Sequence, residues 1–200
     1  MNEKFFDLKK EKQDRFINAA LKLFAENGYR KASTDEIVRQ AGISKGLLFH
    51  YFGSKQGLYE FVYQYSTKYI RMEQARVLPA DETDFFEIER LLETAKRNIM
   101  YTYPYMYVFV NRAFREEDAT IVQLVAESMD AYSAALADVY ARADLSRFKE
   151  KIDPSAVLKM CIFIADGILN EQFRDGNIRA DDYLEEMTRY LLMLKENLCR

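Results

Sequence analysis

The chain has 200 residues, 49% of them hydrophobic and 30% charged, which supplies a real core and excludes disorder as the main state. Two cysteines and one histidine exclude a disulfide framework, a cysteine-based zinc site and most histidine-dependent metal or triad chemistry. The net charge of −3 hides an asymmetry: residues 1–60 hold 11 Lys/Arg against 8 Asp/Glu, and residues 61–200 hold 18 against 24. A basic head on an acidic body fits contact with a polyanion at one end.

With only 3 Pro and 7 Gly, the chain reads as long helices with short breaks. The N-terminal stretch is charged and has no apolar export segment, and no apolar run approaches the roughly 20 residues that span a bilayer. A cytoplasmic, all-α protein without membrane contact is expected.

The first helix is predicted from about Lys9 to Asn27, on the apolar stripes Phe16, Ala20, Leu23 and Ile17, Leu21, Phe24, with Gly28 as its stop. Ser33-Thr34-Asp35-Glu36 is a capping box that opens a short helix carrying Ile37, Val38 and Ala41 and ending at Gly42. Ser44 caps the next helix, Lys45 to Tyr51, which Gly53 follows. Ser54 caps a long helix from Lys55 to about Val77. Two short helices around an Ala-Gly-Ile turn make a helix-turn-helix pattern.

Leu78 to Asp84 is a break. Helices are then expected at about Phe85–Tyr103, Pro104–Phe114 and Ala119–Arg142, the last with Glu116, Glu117 and Asp118 loading its start. Ala143 to Lys151 reads as a loop. Asp153-Pro154 opens a helix to about Phe173, and a final helix runs from about Asp181 to Leu198.

The third helix is short, so its function follows from its two faces. Leu48 and Phe52 can pin one face inward. The other presents Lys45, His50 and Tyr51, with Lys55 just beyond, a cationic and aromatic surface suited to a major groove. Gly46 lets backbone approach a phosphate or base closely. The helix starts at Thr34, Lys45 and Lys55 offer N–H groups to phosphates. Taken singly, Lys45 and Lys55 read equally as solvated lysines; the surrounding pattern gives them a role.

The segment Gly28-Tyr29, Ser33-Thr34, Ile37, Ala41-Gly42-Ile43-Ser44, Gly46, Leu48-Phe49, Tyr51-Phe52, Ser54-Lys55, Leu58 resembles the TetR family of bacterial transcriptional regulators. The likeness covers roughly residues 9–60. It implies a head at 1–54 and a helical effector-binding and dimerisation domain at 55–200, joined through the helix 55–77. It also implies that Lys45, Leu47 and His50 read bases while Ser33, Thr34, Tyr51 and Lys55 grip the backbone. Phe49 stands where a tyrosine is frequent and lacks its hydroxyl; packing is its plain reading, though it stays among the interface residues.

Residues 101–114 hold four tyrosines, two phenylalanines and a methionine. They read either as an aromatic core or as part of a pocket for an apolar or aromatic effector. The expected lining is Tyr65, Phe109, Met129 and Phe163, with Asp166 as a polar anchor. The last two helices are apolar on more than one face, so a homodimer interface is expected there, at Ala165, Ile168, Leu184 and Leu191. In the family this pair forms a four-helix interface. The expected function is a ligand-released DNA-binding repressor with no catalytic residues, cofactor or metal. The rivals are an enzyme, for which no nucleophile–base pair appears, and a helical ligand-binding or interaction module without a DNA role.

Overall fold

The computed structural model describes residues 3–200; the first two residues of the charged N-terminal stretch lie outside the described part. Among the described residues the architecture is all α: α1 Lys10–Lys31, α2 Thr34–Ala41, α3 Lys45–Phe52, α4 Lys55–Val77, α5 Phe85–Thr102, α6 Met106–Ala113, α7 Ala119–Ala141, α8 Pro154–Arg174 and α9 Ala180–Leu198. All nine expected helices are present. The expected stop at Gly28 is instead a kink inside α1, where the glycine takes φ 69° and ψ 177° and the helix resumes to Lys31. The loop expected at 143–151 contains a 3₁₀ turn, Leu145–Arg147.

Two compact units are present: Met1–Tyr69 with Thr102–Tyr132, and Ile70–Tyr101 with Ser133–Arg200. α4 and α7 each contribute residues to both.

The first unit is built on α1, whose Phe16, Ile17, Ala20, Leu21, Leu23 and Phe24 are buried. Each such side chain contributes on the order of 1–3 kcal/mol by leaving water. Phe16 stacks on Phe52 at 5.2 Å, and Phe24 meets Tyr59 edge-on at 4.8 Å. A polar tie fixes α1 at its other end. The Tyr103 hydroxyl donates to Asp14, accepts from Lys10 Nζ at 2.9 Å and shares a 2.7 Å bond with Tyr65.

The second unit centres on Leu78, Ile88 and Leu92, against which Leu136, Val139 and Tyr140 pack. Phe148, from the expected loop, is buried against Phe85 at 5.3 Å. Asp84 anchors that loop by accepting from Arg147 and Lys195, and these cations help hold its carboxyl below the usual aspartate range against the opposing effect of burial. No helix among the described residues is long and apolar enough to cross a membrane.

The junction of α3 and α4 leaves no room at Gly57, where a Cβ would stand 2.2 Å from the Phe52 carbonyl oxygen. That neighbour is backbone and cannot rotate away. Gly57→Ala is therefore expected to cost about 2 kcal/mol or more, seen as a lower denaturant midpoint. An unchanged midpoint would contradict this packing.

Candidate nucleic-acid interface

The local sequence sets each short helix of the head. Ser33 Oγ accepts from the Glu36 N–H at 3.4 Å, starting α2. Half of the expected capping box forms, since the Glu36 carboxylate turns forward to Arg39 at 2.9 Å. Gly42 closes α2 in the left-handed region, φ 67°, and Arg15 Nε on α1 donates to the Ala41 carbonyl at 2.9 Å. Ser44 Oγ accepts from the Leu47 N–H and Ser54 Oγ from the Gly57 N–H, which starts α3 and α4.

The helix α3 presents the two faces that its sequence demands. Leu48 is buried inward, and Phe52 packs on Phe16 and, at 4.9 Å, on Phe61. Outward, Lys45, Gly46, Phe49 and His50 are exposed, while Leu47 and Tyr51 are half-buried. Lys45 pairs with Asp35 at 2.8 Å between two exposed side chains, a contact of little stabilising value that a phosphate or base can displace. The His50 ring lies 5.5 Å from Tyr51. A Cβ at Gly46 meets nothing within 4 Å. Internal packing therefore does not require a glycine there. Phe49, 38% exposed, offers an apolar edge of the kind that meets a thymine methyl.

Two expected phosphate contacts are otherwise engaged. Lys55 Nζ donates to the Arg30 and Ala32 carbonyls, both at 3.1 Å, and sits 4.7 Å over the Tyr29 ring. Burial lowers its pKa from the usual lysine value. It is a tie that satisfies the last carbonyls of α1, where the sequence pattern expected a phosphate grip. Tyr51 lies edge-on to Phe5 at 5.6 Å. Phe5 is fully buried and forms part of the floor under α3. The sequence reading missed it; the only signal was Phe5-Phe6 inside a charged stretch. Ser33 is exposed and Thr34 half-buried at the α2 start, where both border the same surface.

The kinked end of α1 is held from α6 and the turn after it. Arg112 lies under Gly28 and donates to the Ala25 carbonyl at 3.3 Å. The Tyr29 N–H donates to Glu116 at 3.1 Å, and Arg30 pairs with Asp118 at 3.0 Å. Asp118 also accepts from the Thr120 and Ile121 N–H groups and so caps α7. Sequence reading saw in these acids only helix-start charge.

The expected effector residues fall in different settings. Phe109 is a core side chain against Tyr59 at 5.2 Å, Tyr65 is bonded to Tyr103, and Met129 and Asp166 are half-buried. Phe163 is 63% exposed and lies on the surface. A cleft of about 420 Å³ in the second unit is bordered by Asp84, Phe148, Lys195 and Arg200, and by none of these five. The expected dimer residues lie at two depths. Ala165, Ile168 and Leu191 are buried within their own unit, and Leu184 is half-buried. They pack α8 on α9. The apolar side chains left exposed on these helices are Met160, Ile162, Phe163, Leu192 and Met193.

A short helix with an apolar floor, an open glycine and a cationic, aromatic outer face, set beyond a glycine turn from a capped helix, defines a helix-turn-helix DNA-binding head. Residues 16–62 match the family described as bacterial regulatory proteins, tetR family. The HTH-type transcriptional regulator YuxN of Bacillus subtilis (strain 168) is 49% identical over 49 residues, which are 24% of this chain and 17% of that protein. The chain thus aligns with less than a fifth of that relative's length. A 26% identity over 143 residues relates it to the biofilm operon icaADBC HTH-type negative transcriptional regulator IcaR of Staphylococcus aureus, over 69% of this chain and 74% of that one. The fold is shared with FadR from Bacillus subtilis, solved in complex with stearoyl-CoA, at a TM-score of 0.61 and 17% identity over 92% of this chain and 97% of that one. Residues 16–62 thus match the DNA-binding head of the tetR family of bacterial regulatory proteins.

Gly46→Ala separates folding from DNA contact. The added methyl meets open space and improves helix propensity by about 0.5–1 kcal/mol, so thermal stability should hold or rise while duplex affinity falls. Unchanged affinity would remove Gly46 from the interface. Lys55→Ala should instead lower the unfolding free energy by about 1 kcal/mol or more; a variant as stable as the parent would return Lys55 to the phosphate contacts.

Proposed function

We propose that the protein is a homodimeric repressor that reads an operator with α3 and leaves it when a small molecule with an apolar or aromatic body binds the helices beyond the head. The observation that carries this reading is the outward face of α3, with Lys45, Gly46 and His50 exposed above a buried apolar side. In the reading, Lys45, Leu47, Phe49 and His50 enter the major groove, and Ser33, Thr34 and Tyr51 border the phosphates. The N–H groups at the starts of α2 and α3 add anion contacts. Such binding takes place on chromosomal DNA, hence in the cytoplasm.

Repression is supported by IcaR, whose name describes a negative regulator. Control by a small molecule is supported by FadR with its acyl-CoA. A ligand that favours the DNA-incompetent state a hundredfold supplies about 2.7 kcal/mol of coupling. The turn after α6 is the element suited to pass it on. Glu116 and Asp118 hold Tyr29 and Arg30, and Lys55 binds the same end of α1.

Two heads reach successive major grooves only as a dimer, with half-sites about 34–36 Å apart. The exposed Phe163 and Leu192, with Met160, Ile162 and Met193 around them, are the apolar side chains we assign to that interface. Phe163→Arg and Leu192→Arg should sediment as folded monomers with strongly reduced duplex affinity. Ile168→Arg should unfold, since its site is interior. For the wild type, log K should fall linearly with log salt at about 0.9 per phosphate contact. A wild-type monomer that binds duplex DNA with full affinity would overturn the dimer, and salt-independent or absent binding would overturn the DNA reading.

A further inference from the structure

Within the unit formed by Ile70–Tyr101 and Ser133–Arg200, α5 buries two carboxyl groups one turn apart, Glu89 and Glu93. Glu93 is fully partnered: it accepts from the Tyr183 hydroxyl of α9 and pairs with Lys96 at 2.9 Å. Glu89 differs. It is 3% exposed, and its Oε1 has no hydrogen-bond partner. The groups that face it are Glu93 and Lys96 from its own helix, Tyr140 from α7 and Cys161 from α8. Tyr140 hydrogen-bonds to the carboxyl, and the Lys96 charge acts on it from its own helix. Burial holds it up at about 7.

A buried acceptor without a donor destabilises the fold that contains it and is uncommon in native proteins. A metal ion does not explain it, because among the described residues no group of three His, Cys, Asp or Glu side chains is placed to hold one. Tyr140, the neighbour of Glu89, also packs with Leu136 and Val139 of α7 on the apolar cluster of Leu78, Ile88 and Leu92. On α7 the side chains of Leu136, Val139 and Tyr140 are half-buried against that cluster. A donor from outside therefore has to bring both a charge and an apolar body.

We propose that Glu89 is the charge-selecting residue of the effector site, and that the effector is an organic cation with an apolar body, an amine or guanidinium whose N–H reaches Glu89 Oε1 beside Tyr140. This rests on the reading of the chain as a ligand-controlled regulator and names the chemical class of its ligand. The cation binds the ionised carboxylate. Its affinity is therefore full above the Glu89 pKa and is lost as pH falls through it, because the proton and the cation compete for one group.

The test titrates the DNA-free protein with decylamine, decanol and decanoate, which share one apolar chain and differ in charge. At pH 8 decylamine should bind at least tenfold tighter than either of the others, and its affinity should fall about tenfold per pH unit below about 7. Glu89→Gln, checked for helix content by circular dichroism, should lose both the preference and the pH dependence. Decanol or decanoate binding as well as the amine, no binding by any of the three, or a Glu89→Gln variant that keeps the preference would each overturn the proposal. Should the variant not fold, the wild-type series and its pH profile decide alone. Since no DNA is present, failure here leaves the DNA reading intact, and failure of duplex binding leaves this result intact.

Discussion

Everything that α3 presents to solvent depends on what it buries. A helix of 8 residues has no stability of its own in water. It persists because Leu48 enters the core and Phe52 is clasped by Phe16, Phe61 and Phe5. That aromatic floor fixes the rotation of the helix, and with it which side chains face a groove. The close approach at Gly57 fixes its C-terminal end, and the Ser44 cap fixes its start. The result is a rigid display of a few side chains, as base reading requires.

The second constraint is the end of α1. Carbonyls near that end, the kink, the Tyr29 N–H and the Arg30 side chain are engaged by side chains from elsewhere in the same unit: Lys55, Arg112, Glu116 and Asp118. A regulator needs an element whose arrangement differs between two states. This cluster is built from exposed or half-buried ion pairs and hydrogen bonds, which exchange partners more readily than a packed core does. Asp118 also caps α7, and α7 carries Tyr140, the neighbour of Glu89, near its other end.

Helix boundaries were legible because serine and glycine punctuate them: Ser33, Gly42, Ser44 and Ser54 act where their chemistry predicts. The inward face of α3 was legible too, since Leu48 and Phe52 are four residues apart. Three features were not. Lys55 carries a charge that sequence assigns to solvent or DNA, yet carbonyls left over at the end of α1 claim it, and no local pattern announces that. In α8 and α9 the apolar residues fall on more than one face, and periodicity alone cannot choose the inward one. Ile168 and Leu191 went in, and Phe163 and Leu192 stayed out. In sequence Asp166 stands out as an acid inside an apolar run. Glu89 sits in the charged run Glu87-Ile88-Glu89-Arg90 and reads as a solvated face, although it is the deeply buried carboxyl.

The central claim is that α3 reads DNA sequence on behalf of a symmetric pair of heads. It is tested most directly by selecting bound molecules from a pool of random duplex DNA and sequencing them. The account predicts enrichment of an inverted repeat whose half-sites lie about one helical turn or a multiple of it apart. Recovery of sequences no more alike than the starting pool, at a salt concentration where binding is still retained, would contradict it.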